Sequence, residues 1–218
     1  MGETSSKARD NVLVIGGGIA GITSALDLAN QGHDVYLVER SSSIGGHMAQ
    51  LDKTFPTLDC AICIVAPKMV EVSRHPRIHL LSYSEVTDVK RSSDQSTYKV
   101  TVKRKPRYVD ESKCTGCSIC IENCPTKKVP DEYNEKLSNR KAVYIPFPQA
   151  VPRCATIDAE YCLKLKSGKC GICEKKCPSG AINYSDKAEE EEIEVGSIIV
   201  ATGFDVLDPS SLNRYGYG

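Results

Sequence analysis

Two stretches of this chain, "CTGCSICIENCP" from residue 114 and "CLKLKSGKCGICEKKCP" from residue 162, leave little freedom in how the residues around them can fold. The first sets Cys114, Cys117, Cys120 and Cys124 at gaps of two, two and three residues, with Pro125 behind. The second sets Cys162, Cys170, Cys173 and Cys177 in the same order, with the first gap widened to seven and Pro178 behind. The chain holds 11 cysteines, and an odd total speaks against complete disulfide pairing. Eight of them in tight groups point to a reducing compartment and bound metal. Residues 113–180 show little hydrophobic periodicity, so metal is expected to hold that segment together.

The first spacing is that of a bacterial [4Fe–4S] site, in which a short loop wraps three corners of a cubane. A zinc site is the competing reading, although zinc ribbons usually use two separated cysteine pairs. The two motifs resemble each other, so the segment reads as an internal duplication. In two-cluster ferredoxins the fourth cysteine of each motif binds the other cluster. One cluster is therefore expected on Cys114, Cys117, Cys120 and Cys177. The other is expected on Cys124, Cys162, Cys170 and Cys173. Residues 127–153 read as a long polar and proline-rich connection between the motifs.

The amino-terminal part has a different logic. "NVLVIGGGIAGITSALDLANQGHDVYLVER" gives a short apolar strand at 12–16 and a helix over 18–31 with Ile19, Ile22, Leu26 and Ala29 on one face. Gly32 stops that helix, and Val35 to Val38 form a second strand. This is a complete βαβ unit. Gly16, Gly18 and Gly21 make G-x-G-x-x-G. The first glycine permits the tight turn, the second lets the backbone approach a pyrophosphate, and the third lets helix and strand pack closely. The pyrophosphate then sits at the helix N-terminus. Glu39, followed by Arg40, closes the second strand where a carboxylate can reach ribose hydroxyls.

Residues 61–72 carry a helix-like patch, residues 78–104 read as antiparallel strands, and "DKAEEEEIE" at 186–194 reads as a solvated turn and strand edge. Strand-like "VGSIIVATG" follows. The cysteine segment is thus inserted into a hairpin of the first domain. The expected boundaries are 1–106 with 187–218 for the dinucleotide domain and 107–186 for the insert. The class is α/β: an incomplete Rossmann-like FAD-binding domain with an inserted α+β two-cluster ferredoxin domain. Two features favour FAD over NAD: the pair Gly45 and Gly46 soon after Glu39, and Ala201, Thr202 and Gly203 at the end of a buried strand. These resemble flavoproteins of the thioredoxin reductase and glutathione reductase type.

Three cysteines remain. Cys60 and Cys63, in "FPTLDCAICIVAPK", are half of a third cluster, a redox-active disulfide, or buried packing. Cys154 reads as a loop or core residue. His47, after the glycine pair, is a candidate to approach the cofactor, while His33 reads as surface and His75 and His79 as structural. Lys+Arg and Asp+Glu are both 28, so the balance offers nothing to nucleic acid or to an anionic membrane surface. No apolar stretch nears the roughly 20 residues of a membrane span. "MGETSSKARD" lacks the apolar core of a signal peptide. A soluble cytoplasmic protein is expected.

Together, "GGGIAGITSALDLANQGHDVYLVERSSSIGGHMAQLDKTFPTLDCAICIVAPKMVE", "KPRYVDESKCTGCSICIENCP" and "RKAVYIPFPQAVP" resemble the A subunit of CoB–CoM heterodisulfide reductase. The chain is also similar to the A subunit of the quinone-interacting membrane-bound oxidoreductase of sulfate reducers, notably in "CLKLKSGKCGICEKKCP". The resemblance implies an FAD- and iron–sulfur-dependent oxidoreductase subunit that receives or bifurcates electrons at FAD. It implies an extra cluster near the flavin, with Cys60 and Cys63 as the matching positions. It further implies partner subunits for heterodisulfide reduction, hydrogen or formate oxidation, or quinone exchange, hence a hydrogenase, formate dehydrogenase or ferredoxin partner. Members of this fold continue with a second dinucleotide-binding domain after the strand at Gly203, so the chain reads as an N-terminal fragment or a split subunit. Two rivals stand beside this reading: a flavin-free ferredoxin-like carrier, and a docking subunit held together by its clusters.

Overall fold

A computed structural model describes residues 8–93, 95–205 and 207–216. The chain begins with β1 (Val12–Ile15), α1 (Ile19–Asn30) and β2 (Val35–Glu39). Helix α1 turns Ile22, Ala25, Leu26 and Ala29 inward, while Ile19 is 36% exposed at its first turn. Gly32 follows the helix at φ +100°, a conformation that glycine adopts without penalty. Then come α2 (Gly46–Gln50), the short ribbon of β3 (Lys53–Thr54) and β4 (Asp59–Cys60), and α3 (Ala61–Arg74). Val65, Met69 and Val72 on α3 reach the same core as α1.

Next, β5 (Ile78–Ser82) departs from the antiparallel reading of residues 78–104. It lies parallel to β2, with Val35 beside Ile78. Alternating apolar residues mark a strand but not its partner. The crossover through α3 returns the chain in the same direction, as parallel pairing requires. The expected antiparallel pair begins one element later, at β6 (Ser84–Arg91) and β7 (Tyr98–Arg104), with a register shift between Val86 and Asp88.

The insert follows β7. It contains α4 (Ile119–Glu122), the pair β8 (Val129–Pro130) and β9 (Asn139–Arg140), and the pair β10 (Val143–Tyr144) and β11 (Thr156–Ile157). Helices α5 (Leu163–Ser167) and α6 (Ile172–Lys176) complete it. A bridge between Val109 and Ile182 ties its two ends together. The chain then re-enters the first sheet system as β12 (Glu189–Val195) and β13 (Ser197–Val200).

The acidic run is the edge strand β12, antiparallel to β7. Glu189 faces Arg104 and Glu190 faces Lys103 in register, a cross-strand pairing of opposite charge. The parallel sheet has the order β13-β1-β2-β5. From β1 the chain moves to β2 on one side, while β13 joins on the other. The carboxyl ends of β1 and β13 therefore flank the point where strand order reverses, which is where such sheets bind ligands.

The insert has a small core of its own. Cys120, Cys124, Cys154, Cys162 and Cys173 are buried in it with Val109, Val129, Val143, Ile157 and Ile182. Metal is thus not alone in holding residues 113–180, because thiols and short aliphatic side chains share one interior. The 127–153 connection is also more than a linker. Its end, Phe147, Ala150 and Val151, belongs to the core beneath α1 and α3. Ile44 donates its backbone N–H to Val151 O at 2.9 Å, and Val151 N–H donates to Ser43 Oγ at 2.8 Å.

Candidate functional site

At the switch point lies a cleft of about 840 Å³, within the size range of small-molecule sites. Gly16, Gly18, Glu39, Arg40, Gly46, Thr202 and Gly203 line it, all expected cofactor contacts. Gly18 caps α1 without a side-chain bond, and the first helical bond runs from Ile22 N–H to Gly18 O at 2.9 Å. The amides of Ile19, Ala20 and Gly21 precede that ladder, and Ile19 and Ala20 face the cleft. A diphosphate fits this end of the site by charge and by hydrogen bonding.

Gly21 and Gly45 stand behind the wall instead of on it. A Cβ on Gly21 would meet Gly16 O at 1.8 Å, so this position serves helix–strand contact. Gly45, at φ +127°, donates its N–H to Gly17 O at 2.7 Å, and a Cβ there would press on Ala49 and Met69. Its positive φ turns the chain into α2.

Glu39 is only 8% exposed. Its Oε2 accepts from Gly17 N–H at 2.7 Å and its Oε1 from Ser41 N–H at 2.7 Å. The carboxylate thus braces the glycine loop from below while lining the cleft. Glu39→Ala leaves two amides without their acceptor. Hydrogen bonds to a charged group contribute about 1.5–3 kcal/mol each, so a loss of about 3 kcal/mol in stability is expected, together with weaker FAD retention. Denaturant titration and flavin release check this, and a variant of full stability with full flavin would contradict it.

The far wall comes from residues that sequence reasoning treated as linker. Tyr133, Tyr144, Pro146 and Phe147 line the cleft. Tyr133 and Phe147 stack with centroids 4.9 Å apart. Arg140 lies 3.8 Å over the Tyr144 ring and pairs with Asp158 at 2.9 Å and Glu132 at 2.8 Å. His47 does reach the cleft. Its Nε2 lies 2.9 Å from Phe204 O and its Nδ1 2.7 Å from Gln50 Oε1. Gln50 Nε2 in turn donates to Tyr133 O at 3.1 Å. No periodicity marks the 131–147 wall; only its aromatic and proline content distinguishes it.

The cysteines fall into two cavities. One is lined by Cys114, Cys117, Cys120 and Cys177, between α4 and the loop after α6. The other is lined by Cys124, Cys162, Cys170 and Cys173. These are the two crossed sets that the spacing suggests, Cys162 with its widened gap included. Among the described residues no three His, Cys, Asp or Glu side chains form a single-ion site. A cubane is a body with iron at its corners, so its ligands surround a volume instead of converging on one point. The donor set, all thiol, suits such a cluster.

Cys154, buried beside Cys114, holds the Cys114 thiol down to about 5 through a hydrogen bond. Burial pushes Cys120 up to about 12. Both thiols line the first cysteine cavity, and any metal held there would take them as thiolates. Tyr184 OH lies 2.8 Å from Cys173 Sγ and lines the second cavity, a contact that no motif announces.

Cys60 and Cys63 are joined in a disulfide at the start of α3. Of the three readings of C-x-x-C this is the disulfide, and it departs from the third-cluster assignment. The physical reason lies in the supply of thiolates. Sulfurs bonded to each other offer no thiolate to iron.

Comparison with known proteins places these features. Residues 11–58 match the family described as FAD dependent oxidoreductase, and residues 107–127 match the 4Fe-4S binding domain. The A subunit of H(2):CoB-CoM heterodisulfide,ferredoxin reductase from Methanothermobacter marburgensis is 53% identical over 209 residues, covering 96% of this chain and 30% of that protein. The iron-sulfur A subunit of CoB--CoM heterodisulfide reductase from Methanocaldococcus jannaschii is 53% identical over 94% of this chain and 30% of its own length. The A subunit of ferredoxin:CoB-CoM heterodisulfide reductase from Methanosarcina mazei is 47% identical over 100% of this chain and 27% of its own length. Among solved structures, L-proline dehydrogenase from P. horikoshii overlaps 43% of this chain at 26% identity and a TM-score of 0.37. The chain spans about 30% of the length of the curated relatives it matches, and along nearly all of its own length it is a homologue of the A subunit of heterodisulfide reductase.

Proposed function

We propose that this chain is the flavin- and cluster-bearing segment of a heterodisulfide reductase-type oxidoreductase, passing electrons between FAD and two [4Fe–4S] clusters. One observation carries the reading: the insert that holds two crossed four-cysteine sets also supplies the far wall of the dinucleotide cleft. Donor and acceptor sites therefore share one piece of chain. A flavin held in the cleft would supply two-electron chemistry and a cluster held by the cysteines would supply one-electron chemistry, so this chain's residues would bring the two together.

The residues have distinct parts. Gly16 and Gly18 admit the diphosphate to the start of α1. Glu39 braces the loop and faces the ribose. Tyr133, Tyr144 and Phe147 close the far side against water. Cys114, Cys117, Cys120 and Cys177 hold one cluster, and Cys124, Cys162, Cys170 and Cys173 hold the other. No general acid or base is required for electron transfer. Partner subunits of a multi-subunit complex supply and remove the electrons, with a hydrogenase, formate dehydrogenase or ferredoxin as the donor class. Among the described residues no helix is long and apolar enough to cross a membrane.

The test is acid-released FAD and iron per chain, on protein purified without oxygen. About one flavin and about eight iron atoms per chain are expected. Full iron with no flavin would replace this reading with a ferredoxin-like carrier. Clusters that dithionite cannot reduce would leave only a docking role.

A further inference from the structure

Arg107 sits where the insert leaves the first domain, and it is 4% exposed. Its Nη1 donates to Ser42 O at 3.1 Å and to Thr156 Oγ1 at 2.9 Å. Its Nη2 donates to Ser82 Oγ at 2.9 Å. Ser42 lines the dinucleotide cleft. On the other side, Ala155, next to Thr156, and Val109, two residues beyond Arg107, line the cavity of Cys114 and Cys177. One guanidinium thus bonds a residue of the cleft wall, Ser42, and Thr156, the direct neighbour of a residue that lines the cavity of Cys114 and Cys177.

The charge is the second observation. A buried cation needs a counter-charge, since desolvation of an ion costs several kcal/mol. The hydrogen bonds found here go to three neutral oxygens. The carboxylate that pairs with Arg107, Glu111, is 3.8 Å away and 54% exposed, so water screens it. A cubane on four thiolates is a compact anion, and its cavity begins one residue from the Arg107 contacts. The Tyr83 ring, with its centroid 5.5 Å from the guanidinium, gives only a partial counter-charge, and a cluster there would add a full one.

We infer that Arg107 is a positioning residue for electron exchange: it locks the cleft to the cavity of Cys114, Cys117, Cys120 and Cys177 and stabilises the reduced state of the cluster held there. This rests on the flavin–cluster reading above. The sign follows from charge. Reduction makes the cluster more negative, a fixed positive charge favours that state, and the low dielectric of the interior strengthens the effect. Removing the charge moves the midpoint of that cluster to more negative potential and leaves the other cluster where it was.

The experiment is a redox titration of the anaerobically purified full chain, followed by electron paramagnetic resonance, for wild type, Arg107→Gln and Arg107→Lys. Iron and flavin are measured on each sample. Arg107→Gln is expected to shift one midpoint of two to more negative potential. Cys177→Ala, which removes the cluster near Arg107, identifies the shifted signal by its loss. Arg107→Lys keeps a charge but cannot span Ser42 and Ser82 together, so a smaller shift of the same midpoint in the same direction is expected. Fully loaded Arg107→Gln with both midpoints at their wild-type values would overturn the inference. If Arg107→Gln does not accumulate, Arg107→Lys decides: a shift of that one midpoint supports the inference, and no shift overturns it. Wild-type chain that takes up neither flavin nor clusters would instead overturn the underlying reading.

Discussion

Gly21→Ala is expected to lose bound flavin and to destabilise the chain by about 3 kcal/mol or more, the upper end for overpacking a well-packed interior. A single methyl does this because backbone lies on its far side. The added Cβ would stand 1.8 Å from Gly16 O and 3.0 Å from Gly16 C. Gly16 cannot retreat. It holds φ +109°, and its own Cβ position is 2.3 Å from Ala201 O. The ends of β1 and β13 and the first turn of α1 are therefore in backbone contact, and relief requires α1 to move away from the sheet. That movement withdraws the amides of Ile19 and Ala20 from the cleft. Gly18→Ala is the informative control. Its φ of −77° suits any residue, and the nearest atom to its Cβ position is 4.0 Å away. Stability near wild type is expected there, with flavin affinity reduced because the methyl stands where the diphosphate approaches. Denaturation midpoints and flavin content separate the two positions. A Gly21→Ala chain as stable as wild type would refute the account of this junction.

Cys177→Ala is expected to remove one cluster, lowering iron from about eight to about four atoms per chain. The lost cluster is expected to be the one that Cys114→Ala, Cys117→Ala and Cys120→Ala also remove, although Cys177 belongs to the other motif. Cys124→Ala is expected to behave like Cys162→Ala, Cys170→Ala and Cys173→Ala. Stability should fall as well, because Cys120, Cys124, Cys162 and Cys173 are part of the insert's interior and binding free energy at such sites is folding free energy. Iron analysis with resonance spectra of each variant sorts the eight into two groups. Grouping by motif order, with Cys177 alongside Cys162, would show that the clusters are not crossed. Tyr184→Phe offers a finer mark, since its hydroxyl lies against Cys173 and a change confined to the second cluster is expected.

Local signals account for much of this protein. The G-x-G-x-x-G loop reads as a strand–turn–helix because its three demands on backbone space are demands on residue type at fixed spacing. The four-cysteine motifs read as cluster sites for the same reason, and their crossing follows from duplication. The return of the chain through "SIIVATG" is legible as a strand because Ile198, Ile199 and Val200 are β-branched, but the expected burial is not met: β13 is the edge of the parallel sheet and Val200 is 69% exposed. In each case the chemistry is written within a dozen residues.

Other features depend on partners far apart in the chain, and no local pattern encodes them. Ile78–Ser82 is a short apolar strand that names no partner, and only the crossover through α3 made it parallel. Residues 127–153 look like polar linker, yet Phe147 and Val151 complete the core under α1, and Tyr133 and Tyr144 wall the cleft. Glu39 reads as a ribose ligand, and the fold also gives it the amides of Gly17 and Ser41 to hold. Arg107 carries no motif at all; its meaning arises from Ser42, Ser82 and Thr156, which are brought together from separate elements. Residue type and spacing determined by themselves which cofactors this chain is built to hold, because coordination and phosphate approach are short-range chemistry. Which segments wall the cleft and the two cysteine cavities was decided only by tertiary structure, because burial and charge pairing depend on which distant segments the packed interior brings together.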